Sequence, residues 1–561
     1  MSLKNSNSKD SSYIDDSKQN VIVNTKDESQ EVNDSDDSSK YANNMDQELK
    51  LQKVMTSRHL FMISIGSAIG MGLWLGIGSS LHKTGPVGVF IGYLVTGSVA
   101  WVLNMSIGEI ATLYPVSSAF PRWTAQFIDP SLAVTVGWMH WWGNMIGVSN
   151  ELVGIATVLK FWAPDVSPAV WISIAFVTLI FIHAFAIKLF AEVESLMSGL
   201  KFLWVIVAII IMIVISAGGA PKGDAIGFQY WKSSPFNHHG FKGFLTVLPA
   251  CVFALSGIEI IGLVAAECKS PRKSVPKAVK SIWIRIGLFY ILGSFVVTIV
   301  LDPNNQQLLG GSGVNASPFV IAAQNSGLSK FSDAMNVIIL ISVFSSASAT
   351  FYGCPRILLG LVHLKMAPKV LGKVDRKGRP WVGYIFTALL SGGLAYINLS
   401  NSGATVFGWF SNLCSLVALL LWSVIFIVNI RLRKAWKIQG HSLDELPWKH
   451  RFSPYTAWYG LFWSILIVVI EFYLAVWPWK DKSSARNFFA NFVSIVLMFF
   501  IYLVSKIFFF KGPLLIPLEE IDLKNGQAIY DEEYLANEDE DLGVFIGGFY
   551  DLKQAVLKSH V

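Results

Sequence analysis

Charge is scarce in this chain. Asp, Glu, Lys and Arg make up 15% of its 561 residues, where ordinary soluble chains carry ~25%. The apolar share is 53%, and 13% of the residues are aromatic, including 38 Phe and 20 Trp. A soluble fold has no means of hiding that much apolar surface, so a soluble enzyme, a disulfide-stapled secreted domain and a nucleic-acid-binding protein are all disfavoured. Cysteine is almost missing. The four present, Cys251, Cys268, Cys354 and Cys414, lie in or beside apolar runs at no metal-ligand spacing, which speaks against a zinc site or a disulfide framework. No GxxxxGK[ST] loop occurs, which argues against an intrinsic ATP-driven pump. The N-terminus is rich in Ser, Asp, Asn and Lys and lacks the apolar core of a cleavable signal peptide. No cofactor, metal or catalytic residue is expected, and the chain does not read as an enzyme.

What is present is a succession of apolar runs, each near the ~20 residues that a helix needs to cross a bilayer. They predict an all-α polytopic membrane protein of about twelve transmembrane helices: 60–80, 86–113, 132–161, 169–187, 199–217, 243–266, 282–301, 333–361, 382–398, 405–430, 456–477 and 487–510. The third is long and Trp-rich, and the eighth has room for a bend. Residues 1–57 are polar and aperiodic and read as a disordered tail. Residues 58–510 form the membrane body, and 511–561 a second tail. The tails carry formal charges of −4 and −7, which leaves +17 on the body out of a total of +6.

The basic residues of the body concentrate in three expected loops. The loop after span six has Lys269, Arg272, Lys273, Lys277 and Lys280. The loop after span eight has Lys365, Lys369, Lys373, Arg376, Lys377 and Arg379. The loop after span ten has Arg431, Arg433, Lys434, Lys437, Lys449 and Arg451. With twelve spans all three fall on one side, and the positive-inside rule makes that side, and both termini, cytoplasmic.

Two spans look interrupted. The first carries Gly66, Gly70, Gly72, Gly76 and Gly78. Each glycine costs about 1 kcal/mol relative to alanine in a helix interior. Such spacing suits close helix packing. It equally suits an unwound stretch at Gly70-Met71-Gly72 with free backbone N–H groups. The sixth span holds Pro249 and then Ser256-Gly257-Ile258-Glu259. A carboxylate at membrane depth faces a cavity or a partner, so Glu259 is either a site charge or an anchor between helices. The two breaks occupy the first place in each set of five spans. Transporters built from inverted repeats have this arrangement, with half-helix N-termini holding anionic groups. A zwitterionic amino acid would use N–H groups for its carboxylate and unwound carbonyls for its ammonium.

The segments RHLFMISIGSAIGMGL (58–73), TGPVGVFIGY (84–93), GEIATLYPVSSAF (108–120), AAECKSPRKSVPKAVK (265–280), SPFVIAAQNSG (317–327), DRKGRP (375–380) and LDELP (443–447) carry a specific likeness. The chain resembles the fungal amino-acid permeases of the amino acid–polyamine–organocation superfamily, from Arg58 to about Ile529. The resemblance implies a LeuT-type 5+5 inverted repeat with two further helices and interrupted helices 1 and 6. It also implies proton-coupled symport of an amino acid by alternating access. The expected membrane is the plasma membrane, with an endoplasmic reticulum or endosomal/vacuolar pool. By the same resemblance, Gly70, Met71 and Gly72, with Ser67 and Ala68 one turn earlier, form the carboxylate site. Phe253, Ala254, Leu255, Ser256 and Gly257 form the amine-facing site, with Phe253 as gate, and Glu259 matches an acidic residue of the family. Glu151, in the third span, contacts substrate, takes part in coupling or satisfies a helix–helix hydrogen bond. Lys201 either alternates between charged and neutral, because desolvation disfavours a buried ammonium, or snorkels to the interface from the start of the fifth span. Glu192 and Glu194 are expected to be loop or interface charges.

Two departures from the family pattern stand out. Met71 replaces a Ser or Thr, and Ile258 a frequent Ser. Both changes point to a larger or more apolar cargo, and they keep open a rival reading, a transporter-like sensor that signals through its tails. Lys4, Lys9, Lys18, Lys26, Lys40 and Lys50 are candidate ubiquitin acceptors that would engage trafficking machinery. The expected partners are thus an amino acid, protons, the lipid bilayer and that machinery, with no nucleic acid.

Overall fold

A computed structural model of the protein describes residues 69–183, 187–236, 240–268, 270–309, 317–375, 379–399, 403–478 and 483–528. Ser67, Ala68, the N-terminal tail with its lysines, and the second tail beyond residue 528 lie outside the described residues.

Every element among the described residues is a helix. Helix α1 opens as a π-helical turn, Gly72–Gly76, and continues as Ile77–Thr84. It is followed by α2 (Pro86–Leu113), α3 (Ala119–Phe127), α4 (Pro130–Leu159), α5 (Pro168–His183) and α6 (Ile187–Ser216). The sixth expected span divides into α7 (Val247–Leu255) and α8 (Ile260–Val264). Helix α9 (Pro271–Arg285) continues through a π-helical stretch, Ile286–Leu292, into Gly293–Val300. Then come α10 (Pro318–Asn325), α11 (Ser329–His363), α12 (Trp381–Ala395), α13 (Gly403–Ile438), α14 (Tyr455–Val476) and α15 (Ala485–Val504).

Among the described residues, nine helices are long and apolar enough to cross a membrane. The other three expected spans fall on α1, α4 and α5. Helix α5 is short, and α1 lies at the edge of the described residues. Helix α4 is long enough, but its hydropathy is diluted by Trp138, His140, Trp141, Trp142, Asn144 and Asn150. That dilution follows from its place: α4 is a central helix, packed most extensively against α11 and α13. Much of its face therefore meets protein and not lipid. Its start is fixed locally by Pro130 at the first helical position and by Asp129, which accepts from Leu132 N at 3.2 Å and pairs with Lys506 at 2.9 Å.

Helix boundaries moved outward where basic residues suggested loops. Arg272, Lys273, Lys277 and Lys280 lie on the first turns of α9, and Arg431, Arg433, Lys434 and Lys437 on the last turns of α13. Cationic side chains near a helix C-terminus complement its dipole, so they extend α13 where a hydropathy window ends it. Helix α6 likewise begins at Ile187, not near 199. Glu194 is therefore no loop or interface charge: it lies inside α6 and is 4% exposed. Lys201, in the same helix, is fully buried and does not reach an interface.

At the end of the bundle where α2, α3 and α13 meet, Arg433 donates from Nε and Nη2 to both oxygens of the buried Glu109, and from Nη1 to Ser453 O at 3.0 Å. Residues 511–528 run across this end as a strap. Tyr114 Oη donates to Leu523 O at 2.7 Å, Gln439 Nε2 to Ile521 O at 2.8 Å, and Ala528 N to Leu113 O at 2.9 Å. Arg431 donates to Phe127 O and Ile516 O. Burial, and next the nearby Asp522, push the Tyr114 phenol well above its ordinary value, so it serves as a neutral donor. Ile521 and Leu523 are 2% and 4% exposed, so the strap is held by apolar burial as well as by polar bonds.

Candidate functional site

The two glycine-rich stretches meet. Ile69 and Gly70 are non-helical, Met71 has helical dihedrals, and the π-helical turn of α1 begins at Gly72. Such turns are frequent where a helix is adapted to a site. Helix α11 stitches this start: Ser342 Oγ donates to Ile69 O at 2.7 Å, and Trp74 Nε1 donates to Ser342 Oγ at 3.0 Å. The second break lies between α7 and α8. Ser256 is extended, with ψ 155°, and Gly257 has φ +85°. A residue with a Cβ rarely adopts that backbone, which is why glycine ends α7 here. The breaks pack backbone to backbone: a Cβ on Gly72 would lie 2.5 Å from Ala254 Cα.

Between them lies a cavity with about 750 Å³ of space unfilled by atoms, its mouth included. One end is lined by Gly70, Gly72, Phe253, Ala254, Ser256 and Gly257, with the carboxylates of Glu151 and Glu259. Helix α4 adds His140, Gly143, Asn144 and Gly147. Helix α11 adds Ser346 and Thr350, and α13 adds Cys414, Val417, Ala418 and Leu421. The cavity thus has a polar side on α4 and α11 and a more apolar side on α13.

Glu151 sits directly on the start of α1. A Cβ on Gly70 would lie 2.5 Å from Glu151 Oε1 and 2.8 Å from Ser346 Oγ, so only glycine leaves room for the carboxylate. Ser346 Oγ donates to Oε1 at 3.0 Å, and the Met71 N–H lies close to the same group. Glu151 Oε2 has no hydrogen-bond partner among the described residues, and neither has Glu259 Oε2. Buried acceptors left in that condition are rare and call for a functional explanation. Behind the cavity wall, Lys201 Nζ lies 3.8 Å from Glu194 Oε1. Both Glu194 oxygens accept from Ser345 Oγ, at 2.8 and 2.7 Å. Lys201 also interacts electrostatically with Glu151.

Most of the expected site residues therefore converge: Gly70, Gly72, Phe253, Ala254, Ser256, Gly257, Glu151 and Glu259 share one cavity, and Lys201 stands behind it. Three expectations need correction. Leu255 is fully buried in the apolar core and is not among the residues that line the cavity. Ile258 is likewise buried off the cavity. Met71 keeps its backbone at the break, but its side chain turns away from the cavity and fills the space above Gly154 of α4. Neither departure from the family pattern makes the cavity lining more apolar, so the inference of a larger or more apolar cargo loses its footing.

His140, Asn144, Ser346, Thr350 and the α13 residues were missed. Their signal was present as spacing: His140, Asn144, Gly147 and Glu151 recur at i, i+4, i+7 and i+11, and Ser346 and Thr350 at i, i+4, each set on one helix face.

A family model described as "Amino acid permease" matches residues 59–515. The chain belongs to the amino acid permease family. The permease is 36% identical to amino-acid permease GAP5 of Candida albicans over 515 residues, covering 90% of this chain and 83% of that one. It is 35% identical to general amino-acid permease GAP1 of Saccharomyces cerevisiae over 497 residues, covering 87% and 82%. It is also 35% identical to S-adenosylmethionine permease GAP4 of Candida albicans over 489 residues, covering 87% and 80%. These relatives are permeases and not enzymes, and together with the long apolar helices they make this permease an integral multi-pass membrane protein of amino-acid transport.

Proposed function

We propose that this permease imports an amino acid into a fungal cell by proton-coupled symport, with substrate held between the two helix breaks. The observation that carries the reading is the pair of glutamates lining the cavity, Glu151 and Glu259, each with one buried oxygen that has no hydrogen-bond partner among the described residues. The substrate carboxylate is received by the N–H groups at the start of α1, where the helix dipole favours an anion. The ammonium group is received by the Ser256-Gly257 break and Glu259, with Phe253, packed on Phe407 at 5.7 Å, closing over it.

Glu151 supplies the coupling. Its carboxylate already rests on Gly70 beside the Met71 N–H, where the substrate carboxylate has to arrive. Two like charges at that spacing repel strongly in a low-dielectric site. Protonated Glu151 removes the repulsion and leaves an O–H able to donate to the incoming carboxylate. Proton binding and substrate binding then favour each other, as linkage requires. Lys201, held by Glu194 behind the wall, receives or stabilises the charge that Glu151 exchanges.

The same reading takes twelve spans in a 5+5 inverted repeat, with α1 and α7–α8 as the broken helices, and alternating access between two bundles. It puts the basic loops and both tails in the cytoplasm, the protein mainly in the plasma membrane, and ubiquitin on the N-terminal lysines. Labelled amino-acid uptake in a permease-deficient fungal strain tests it. Saturable uptake that rises as external pH falls supports the reading, and no accumulation of any amino acid refutes it. Glu151→Gln should keep binding but lose the pH dependence.

A further inference from the structure

The strap of residues 511–528 binds α3 as well as the helix ends around it. Ile516 N donates to Ile128 O at 3.0 Å, just past the end of α3. Gln126 Nε2 donates to Asp522 O at 2.6 Å and to Asn525 O at 3.2 Å, and Arg122 Nη2 to Asn525 Oδ1 at 3.3 Å. Before these contacts the strap is fastened to α13, where Gln439 Nε2 donates to Leu518 O at 3.1 Å and to Ile521 O at 2.8 Å. After them it is fastened to the end of α2, where Ala528 N donates to Leu113 O at 2.9 Å. Helix α3 is thus belted to the bundle, with an anchor on each side of its own contacts along the chain.

One α3 side chain reaches the cavity wall. Phe120 is 1% exposed and packs edge-on against His140, with ring centroids 5.4 Å apart. It also presses on α8: a Cβ on Gly262 would lie 2.9 Å from Phe120 Cε1. Of the α4 residues that line the cavity, His140 is the nearest to Pro130, where that helix starts. The strap passes this start too, with Ser131 Oγ donating to Phe510 O at 3.3 Å. Helix α8 is the half-helix that follows the second break. The Phe120 ring is therefore a wedge between α4 and the broken helix, at the end of the cavity nearer the strap.

We propose that residues 511–528 are the latch of an inner gate. With the strap docked, α3 holds Phe120 between α4 and α8 and keeps the cavity shut toward the cytoplasm. With the strap released, α3 withdraws the ring and the cavity opens on that side. Alternating access requires this end to open once in each cycle, so the strap contacts bias the resting population toward the inner-closed state.

The latch rests on the transport reading above, which makes the strap end cytoplasmic. The chain carries its own reporter: Cys414 lines the cavity, whereas Cys251, Cys268 and Cys354 are buried off it. Inside-out and right-side-out membrane vesicles holding the full-length permease are treated with a membrane-impermeant maleimide, and the rate of modification is read at each cysteine by mass spectrometry. The proteins compared are wild type, Ile521→Asp/Leu523→Asp, Phe120→Ala, all three substitutions together, and Tyr114→Phe/Gln439→Leu, which removes two donors that anchor the strap. Labelled amino-acid uptake by wild type is measured in parallel.

From the cytoplasmic face, Cys414 should react roughly tenfold faster in Ile521→Asp/Leu523→Asp than in wild type, a shift in population within the reach of losing one buried apolar side chain. From the outer face it should react no faster. Phe120→Ala should behave alike, and the combined variant should add little, because both changes act on one gate. A wild-type rate from the cytoplasmic face overturns the proposal. So does faster reaction from both faces, or at Cys251 and Cys354 as well, since that is general loosening. Where the aspartate variant does not reach the membrane, Tyr114→Phe/Gln439→Leu is judged by the same rates. If wild type accumulates no amino acid, the transport reading fails; if wild type transports while the strap variants react as wild type does, the latch alone fails.

Discussion

Replacing Gly72 by alanine should disable the permease, while the same replacement four residues on, at Gly76, should not. The methyl group at position 72 would lie 2.5 Å from Ala254 Cα, 3.0 Å from its Cβ and 3.2 Å from its N. Carbon atoms rest about 3.5–4.0 Å apart, so α1 and α7 would have to separate by about 1 Å. The obstacle is backbone, which has no rotamer to yield. Overpacking of this kind costs about 1–3 kcal/mol, against a gain of at most about 1 kcal/mol from replacing a helical glycine. The functional loss should exceed the stability loss, because the displaced elements are the two that meet at the cavity, and a 1 Å misplacement can cost about a hundredfold in rate. At Gly76 nothing among the described residues lies within 4 Å of the added methyl, so alanine there should be neutral or slightly stabilising. The assay is thermal stability of the purified, detergent-solubilised protein, paired with uptake per molecule at the surface. Equal behaviour of the two variants would refute the close approach of the breaks.

Gly154→Ala should also impair the protein, because the Met71 thioether occupies the space its methyl would need. Met71→Thr in the same chain should restore it, and failure of that rescue in an uptake assay would count against the packing. Ser346→Ala removes the 3.0 Å donor to Glu151 Oε1. Leaving a buried acceptor unmade costs about 1–3 kcal/mol, and uptake against pH should shift, whereas an unchanged profile would separate Ser346 from coupling. Ile521→Asp with Leu523→Asp should detach the strap and lower the melting temperature, since each apolar side chain contributes about 1.5–3 kcal/mol when buried; an unchanged melting curve would deny the strap its packing role. Glu109→Gln should destabilise the end of the bundle by about 3–5 kcal/mol by stranding the buried Arg433 charge, read from the same melting curves.

Long apolar runs and the two glycine-rich breaks were legible in the sequence because bilayer length and helix-breaking residues act locally. Helix ends were less so. Hydropathy stops where charge begins, yet α6 and α13 continue past Glu194 and Arg433 because those charges find buried partners. Leu255 and Ile258 were misread because sequence adjacency to a break does not say which way a side chain turns. Met71 was misread for a related reason: its room is made by Gly154, more than eighty residues away. Burial of Arg285, 1% exposed within the expected span 282–301, likewise depends on the packing of other helices around α9. The polar stripe on α4 was readable in principle, as a helical repeat of His140, Asn144, Gly147 and Glu151 within a run noticed mainly for its tryptophans.

The most direct test of the central claim is proton flux measured together with labelled amino-acid uptake in proteoliposomes, for wild type and Glu151→Gln. Uptake by wild type should be driven by an inward proton gradient, with protons entering alongside substrate. Glu151→Gln should exchange substrate across the membrane without moving protons. Gradient-independent uptake by wild type, or full proton coupling in Glu151→Gln, would contradict the account.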